Sequence, residues 1–342
     1  MIPNKPLVIS VPEPRSLDLI FRPEQKAKLL DRYRIVEVCE AEFAQLGDDV
    51  LGQAQYILGQ PPISSAQLAR LGQLRCVFNV ESNLLDNMPY AELFARGIHV
   101  VTTGAVFALP VAEMGLGLAL DLLRDITNAD LAFRQGTEAW GGDGNGQARL
   151  LSGANVGIVG FGELGKALRQ VLSGFRPTIR VFDPWLPASL LVEQEVVPAT
   201  LDEVLGLSDV VFVVAAVTSE NQGFLGHESF ARMRAGACFI LLSRAGVVDF
   251  DAMMAAVRQG HIRAGTDVFP EEPVAADHLI RTLPGMLRSA HRAGALDEAF
   301  KRMGDMVLED MDLLDRGLPP MRCRRAERET VARMRSKPVT RN

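Results

Sequence analysis

The sequence is poor in the residues that build metal centres, disulfide scaffolds and membrane spans. Its 342 residues include 4 cysteines. Cys39, Cys76, Cys238 and Cys323 lie far apart, form no C-x-x-C pair and show no metal-ligand spacing, so neither a disulfide framework nor a metal site is expected. Cys39, Cys76 and Cys238 stand in apolar runs, where a buried, reduced thiol is the expectation. No basic segment followed by an apolar one opens the chain, and no secretion signal is read there. The longest apolar stretch, Val111 to Leu123, contains Glu113 and Asp121 and is too short to span a bilayer. Charge of one sign is lacking too. The 36 Lys+Arg against 42 Asp+Glu leave a net charge of −6, which gives no reason to expect nucleic acid or a membrane as partner. Internal repeats and low-complexity segments are absent. What remains, 48% hydrophobic and 23% charged residues, is the composition of a soluble globular protein long enough for two domains. A cytoplasmic enzyme fits best.

Strand and helix patterns alternate in two blocks. In the first, Leu7-Val8-Ile9, Arg34 to Val38, Tyr56-Ile57-Leu58, Cys76-Val77-Phe78 and His99-Val100-Val101 are short apolar or β-branched runs. Helical patterns lie between them, at Pro23 to Leu30, Ser65 to Leu71 and Pro89 to Arg96. This alternation predicts a parallel sheet covered on both faces. The block has no phosphate-binding glycine loop. It ends in a long predicted helix, Pro110 to Asp125, with Met114, Leu118 and Leu122 on one face. A Gly-rich stretch follows, Gly136 to Gln147 with Trp140, and reads as a boundary loop or an arm onto a partner subunit.

The second block opens on a strand, Asn155 to Val159, followed at once by Gly160-Phe161-Gly162-Glu163-Leu164-Gly165 and a helix from Lys166 to Leu172. Each glycine has a physical task. Gly160 makes the tight turn, Gly162 lets backbone approach a pyrophosphate, and Gly165 lets the helix pack closely on the strand. The helix N-terminus offers free N–H groups to the phosphates. The next strand, Thr178 to Phe182, ends in Asp183, 18 residues past Gly165 and placed to accept from the adenosine ribose hydroxyls. Strand, glycine loop, helix and acid together predict NAD binding. The acid argues for NAD over NADP, because it would repel a 2′-phosphate.

Further strands follow at Val210 to Ala216, Cys238 to Leu242, Ala264 to Asp267 and Gly285 to Ser289. Ligands in open α/β sheets sit beyond the carboxyl ends of strands, which singles out Ala215-Ala216, Ser243-Arg244, Asp267 and His291. Arg244 ends an almost wholly apolar run, where an idle surface arginine would be unusual. Of the five histidines, His99 opens a strand of the first block, His227 sits in a helix-start turn, His261 ends a helix at the wrong sheet edge, and His278 lies in an acidic segment. His291 alone follows a strand within the cofactor block, as a general acid/base should.

Together these residues resemble the D-2-hydroxyacid dehydrogenase family. Phe239 to Asp249 is similar to its arginine signature, Asp267 to Pro273 to its aspartate-to-glutamate signature, and Ser289 to Gly294 to its histidine signature. Order and spacing agree from about Val111 to Asp315, and more loosely at Arg96-Gly97-Ile98 and Val111-Ala112-Glu113. The resemblance implies an NAD-dependent enzyme that interconverts a small D-2-hydroxy acid and its 2-keto acid, of the phosphoglycerate dehydrogenase or hydroxypyruvate/glyoxylate reductase type. It implies that Arg244 binds the substrate carboxylate and polarises the ketone, that His291 is the proton donor, and that Glu272 hydrogen-bonds and orients the imidazole. It implies cofactor contacts from Ala215, Leu242, Ser243, Arg244, Asp267 (at the nicotinamide), His291 and Gly294, besides the glycine loop and Asp183. Some relatives keep this fold as NAD(H)-sensing corepressors, the alternative function.

Several positions depart from the family pattern. Leu241 stands for the usual Asn, Ala245 for Gly, Ala216 for Pro, and Ser289-Ala290 for Thr-Pro. The substrate loop implied at Val80-Glu81-Ser82 departs further, since Glu81 takes a glycine position, where a carboxylate facing an anionic substrate would be unfavourable unless it turns away or pairs. The implied fold is α/β with two doubly wound parallel sheets. A Rossmann NAD-binding domain, 104 to 295, is inserted into a flavodoxin-like substrate domain made of 1 to 103 and 296 to 342. A homodimer through the cofactor domain, around Pro110 to Gln147, is likewise implied. From Arg322 to Arg341 eight Lys/Arg face two Asp/Glu, which reads as a solvated tail.

Overall fold

The structure, a computed structural model, describes residues 5–81 and 84–334. Thirteen strands lie in chain order among them: β1 (Leu7–Ser10), β2 (Arg34–Glu37), β3 (Ala54–Leu58), β4 (Cys76–Asn79), β5 (His99–Thr102), β6 (Asn155–Val159), β7 (Thr178–Phe182), β8 (Val197–Pro198), β9 (Val210–Val213), β10 (Ala237–Leu241), β11 (Ile262–Thr266), β12 (Met286–Arg288) and β13 (Arg324–Arg325). The chain divides into two compact units. One runs to Phe107, takes in Thr218–Glu220 and resumes at Ala295; the other holds Ala108–Val217 and Asn221–Gly294. Sequence patterning did not foresee that Thr218–Glu220 cluster with the first unit, where Thr218 pairs with Met334 in a short bridge.

The first unit's sheet runs β13-β5-β4-β3-β1-β2, parallel except for β13, which pairs antiparallel with β5. Its inner strands β1, β3 and β4 are largely apolar and buried because both faces are covered. Val8, Cys76 and Phe78 point into one core, while Leu7, Ile9 and Val77 point into the other. The helix Asp297–Asp315 closes the first of these faces with Phe300, Met303, Val307 and Met311. Each such side chain removed from water stabilises the fold by roughly 1.5–3 kcal/mol. Strand order reverses between β1 and β3, the flavodoxin-like arrangement.

The second unit's sheet, β12-β11-β10-β9-β6-β7-β8, is wholly parallel and reverses between β6 and β9. Helix starts are locally encoded in both units. Ser64 with Gln67 and Thr200 with Glu203 form reciprocal capping boxes that satisfy N–H groups the helices leave open.

Two features differ from the sequence reading. The apolar stretch is longer than Val111 to Leu123: Gly104–Arg124 is helical over 21 residues, long and apolar enough by length and composition to cross a membrane. Its apolar residues are used inside the second unit, where Val111, Ala112, Leu118, Ala119, Leu122 and Leu123 are buried. A second helix, Ile126–Gln135, also precedes the Gly-rich stretch after a left-handed turn at Asp125, and none of its residues is buried.

Candidate active site

Every cofactor-block residue singled out by sequence lies at the carboxyl edge of the second unit's sheet. Gly160 follows β6, Asp183 follows β7, Ala215 follows β9, Ser243 and Arg244 follow β10, Asp267 follows β11, and His291 follows β12. A parallel sheet sends all these chain ends to one side, so residues up to 131 positions apart in sequence share one edge.

The glycine loop fits a dinucleotide. Gly160 has φ of +90°, and a Cβ there would fall 2.7 Å from the backbone of Ala215, so only glycine makes this turn. A Cβ on Gly165 would lie 2.7 Å from Gly160 O, which is the close helix–strand contact. Gly162 differs. It is the N-cap of the helix Glu163–Leu172, has no side-chain cap bond, and a Cβ there would meet nothing within 4 Å. The loop is therefore closed behind and open in front, with helix N–H groups facing the opening, a cradle for a diphosphate.

Side chains of the loop divide in the same way. Phe161 is buried, whereas Glu163 is exposed and pairs with Lys166 at 3.0 Å; Leu164 is half-buried. Asp183 Oδ2 accepts from Phe161 N at 2.8 Å and Oδ1 from Trp185 N at 2.9 Å. The acid thus braces the glycine loop, and each oxygen keeps a second lone pair for a ribose hydroxyl. Leu242 is buried, and its N–H donates to Val213 O, so its side chain belongs to the core. Ser243 Oγ is buried with no hydrogen-bond partner, an orphaned polar atom beside Arg244 that suits a ligand contact.

His291 and Glu272 are brought together from 19 residues apart. His291 Nδ1 lies 2.6 Å from Glu272 Oε2, and Phe269 N donates to Glu272 Oε1 at 2.9 Å. Burial would raise the Glu272 pKa, but the hydrogen bonds from His291 and Phe269 and the positive charges of His291 and Arg244 outweigh it, holding the carboxyl below its ordinary range. An ionised carboxylate only accepts, so Nδ1 carries the hydrogen and Nε2 faces outward for chemistry. Arg244 Nη1 donates to Ser243 O at 2.7 Å.

Asp267 has a task the sequence did not suggest. It is buried, and its carboxylate accepts from Arg292 N at 3.0 Å and Ala293 N at 2.9 Å, while its carbonyl accepts from His291 N at 2.8 Å. His291 sits at φ +49°, a left-handed backbone that costs roughly 1–2 kcal/mol in a residue with a Cβ. Three bonds to one aspartate hold that turn and aim the imidazole. Gly294 closes the segment at the last residue of the unit.

The predicted substrate loop follows β4 in the first unit. Ser82 lies outside the described residues. Val80 O accepts from Arg15 Nε, Glu81 N donates to Asn79 Oδ1 at 2.6 Å, and Glu81 O accepts from Thr102 Oγ1 at 2.7 Å. The Glu81 carboxylate pairs with Arg15 Nη2 at 3.0 Å. Arg15 is the functional candidate that sequence reasoning missed. It lies 66 residues from Glu81 in a Pro-Glu-Pro-Arg segment with no motif or periodicity to mark it. The other histidines stand apart from this chemistry: His278 Nδ1 accepts from Ile280 N, and the His261 ring bonds Phe230 O.

Comparison with known proteins places this geometry in a family. The profile of the D-isomer specific 2-hydroxyacid dehydrogenase NAD binding domain matches residues 116–293. The chain is 31% identical over 240 residues to a glyoxylate reductase of Korarchaeum cryptofilum, covering 69% of this chain and 72% of that one. It is 28% identical over 238 residues to a D-3-phosphoglycerate dehydrogenase of Bacillus subtilis, covering 69% of this chain and 45% of that protein. Among solved structures, a phosphoglycerate oxidoreductase from Rhizobium etli is 68% identical with a TM-score of 0.88, covering 96% of this chain and 100% of that one. The chain therefore belongs to the D-isomer specific 2-hydroxyacid dehydrogenase family, NAD-binding oxidoreductases acting on the CH–OH group of their donors.

Proposed function

We propose that the protein reduces a small 2-keto acid, of the glyoxylate, hydroxypyruvate or phosphohydroxypyruvate kind, to its D-2-hydroxy acid, and runs the reverse oxidation. The observation that carries this reading is the His291–Glu272 contact of 2.6 Å at the same sheet edge as the open glycine loop. Bound NADH supplies the hydride. Arg244 supplies a planar, permanently charged guanidinium for the carboxylate and the ketone oxygen, a two-point contact that lysine would make poorly. His291 gives the Nε2 proton to the carbonyl oxygen as negative charge develops there, and Glu272 stabilises the imidazolium through Nδ1 until it does. In oxidation the same nitrogen takes the proton from the hydroxyl. On this reading Gly160 to Gly165, Asp183, Ala215, Ser243, Asp267 and Gly294 serve the cofactor, and Val80 and Glu81 belong to the substrate loop. The first unit is then the substrate domain.

A homodimer through the second unit is part of the proposal. Ile126, Leu131, Phe133, Trp140 and Leu150 are exposed between 126 and 150, with Phe133 and Trp140 in edge contact at 6.4 Å, and a second copy would cover them. Four free cysteines, three of them buried, support a reducing cytoplasmic setting.

Steady-state oxidation of NADH and of NADPH against glyoxylate, hydroxypyruvate, 3-phosphohydroxypyruvate and longer 2-keto acids tests the reading. Turnover with at least one acid, faster with NADH, is expected. NADH bound with no turnover across the panel would instead favour a cofactor sensor.

A further inference from the structure

Arg15 and Glu81 meet where the first unit's topology focuses ligands. Arg15 follows β1 and Glu81 follows β4, at the carboxyl edge whose strand order reverses between β1 and β3. Arg15 is held on three sides. Its Nη2 pairs with Glu81 Oε2 at 3.0 Å, its Nε donates to Val80 O at 2.9 Å, and its guanidinium lies over the Phe300 ring at 4.6 Å and the Phe107 ring at 5.6 Å. The two side chains are 9% and 14% exposed.

As a stabilising device this pair is poorly made. Arg15 Nη1 and Glu81 Oε1 are both buried with no hydrogen-bond partner. Desolvating two ions recovers its cost only when the remaining donors and acceptors are satisfied, and an apolar pair of similar volume commonly does as well or better. What the pair does that neither charge could do alone is cancel its own charge where Arg15 meets Glu81. A lone Glu81 would repel an acid, and a lone Arg15 would attract every anion, most of all one bearing two charged groups.

We infer that Arg15 and Glu81 together set the charge selectivity of the substrate loop, matching it to 2-keto acids whose only anionic group is the carboxylate and leaving no surplus cation there for a phosphate. This inference rests on reading the segment after β4 as the substrate loop.

The experiment measures KM and kcat for hydroxypyruvate and its 3-phosphate in wild type, Glu81→Gln, Arg15→Met and the Arg15→Met/Glu81→Gln double variant, with NADH affinity and thermal melting alongside. Glu81→Gln leaves Arg15 uncompensated and should lower KM for the phosphorylated acid relative to the plain one by about tenfold, the scale of a full charge near a partly buried site. Arg15→Met should raise both KM values, that of the phosphate more. The double variant is neutral again and should return the ratio to its wild-type value. It also decides the matter if Arg15→Met fails to fold, since it buries no lone charge. A purely structural pair would move kcat or melting without changing the ratio. KM values that shift by equal factors for both acids overturn the charge assignment and leave the loop reading intact. KM values that do not shift at all, in variants that melt and bind NADH normally, overturn both.

Discussion

The two sheets are built alike, yet their carboxyl edges are finished in opposite ways. In the first unit most polar groups at that edge satisfy one another, with Ser10 Oγ, Arg15 Nη1 and Glu81 Oε1 as the exceptions. Gln60 Nε2, with two hydrogens to give, lies 2.9 Å from each of Leu85 O, Asn87 Oδ1 and Tyr90 OH, Asn79 Nδ2 donates to Gln60 Oε1, and Glu81 is tied through N, O and one carboxylate oxygen. In the second unit capacity is left open: space before Gly162, an unpartnered Ser243 Oγ, and the outward nitrogen of His291. On the proposed reading, the edge whose donors and acceptors are mostly engaged discriminates by shape and charge, and the edge with more vacant capacity binds the cofactor and reacts.

This contrast breaks most sharply at the two residues proposed to react. Arg244→Ala or His291→Ala should lower kcat by about 10²–10⁴-fold, as loss of a general acid or of charge stabilisation does, while NADH affinity stays close to wild type. Retention of more than about a tenth of the activity, equivalent to ~1.4 kcal/mol of barrier, would remove that residue from the mechanism.

Asp267→Asn should come next, with kcat down by roughly 10–100-fold. The amide presents a donor to one of two backbone N–H groups and so loosens the left-handed turn at His291. NADH affinity measured by fluorescence titration separates this from a direct nicotinamide contact: a parallel loss of binding would point to the contact.

A pair of glycine substitutions sharpens the comparison within the loop. Gly160→Ala forces a Cβ into the Ala215 backbone at positive φ and should cost at least about 1–3 kcal/mol of stability, together with NADH binding. Gly162→Ala adds its Cβ to open space, so melting should hardly change while the dissociation constant for NADH rises. Equal destabilisation by both would mean that the opening at Gly162 is not a ligand cradle.

The smallest effect expected is a pH dependence at Glu272. Its folded-state pKa lies below the ordinary 4.5, so its ionised form contributes stability that is complete above that value and disappears as pH falls through the lower folded-state one. The side chain is about a third exposed, which keeps the contribution small. Thermal melts between about pH 5 and pH 3 should therefore fall slightly more steeply for wild type than for Glu272→Gln. Coincident slopes would deny Glu272 that role.

The second unit's edge was largely legible in the sequence, and the first unit's was not, for a physical reason. Glycines needed for a turn, an acid ending the next strand, and an arginine closing an apolar run are local requirements of backbone geometry, so they leave local signatures. Even His291 could be reached by asking which histidine follows a strand in the cofactor block. Asp267 was found, but its bracing of His291, Arg292 and Ala293 depends on how two strand ends lie side by side, which spacing alone does not encode. Arg15 is the extreme case. Glu81 was legible as an anomaly, and its partner was not, because a contact across 66 residues between two loops has no period. The helix Ile126–Gln135, whose apolar Ile126, Leu131 and Phe133 are exposed, was not read from the sequence.

The split composition of the first unit has a consequence for biosynthesis. Its sheet face of Val8, Tyr56 and Phe78 is covered by Phe300, Met303, Val307 and Met311, and its edge strand β5 pairs with β13. These partners leave the ribosome only after the whole of the intervening segment. The intervening segment, Ala108 to Gly294, contains a complete sheet of its own and can fold as soon as it has emerged. The five strands made first must wait, one face bare, through the synthesis of nearly two hundred further residues. Vectorial synthesis thus leaves the nascent amino-terminal portion as the part of this molecule most in need of a chaperone's shelter.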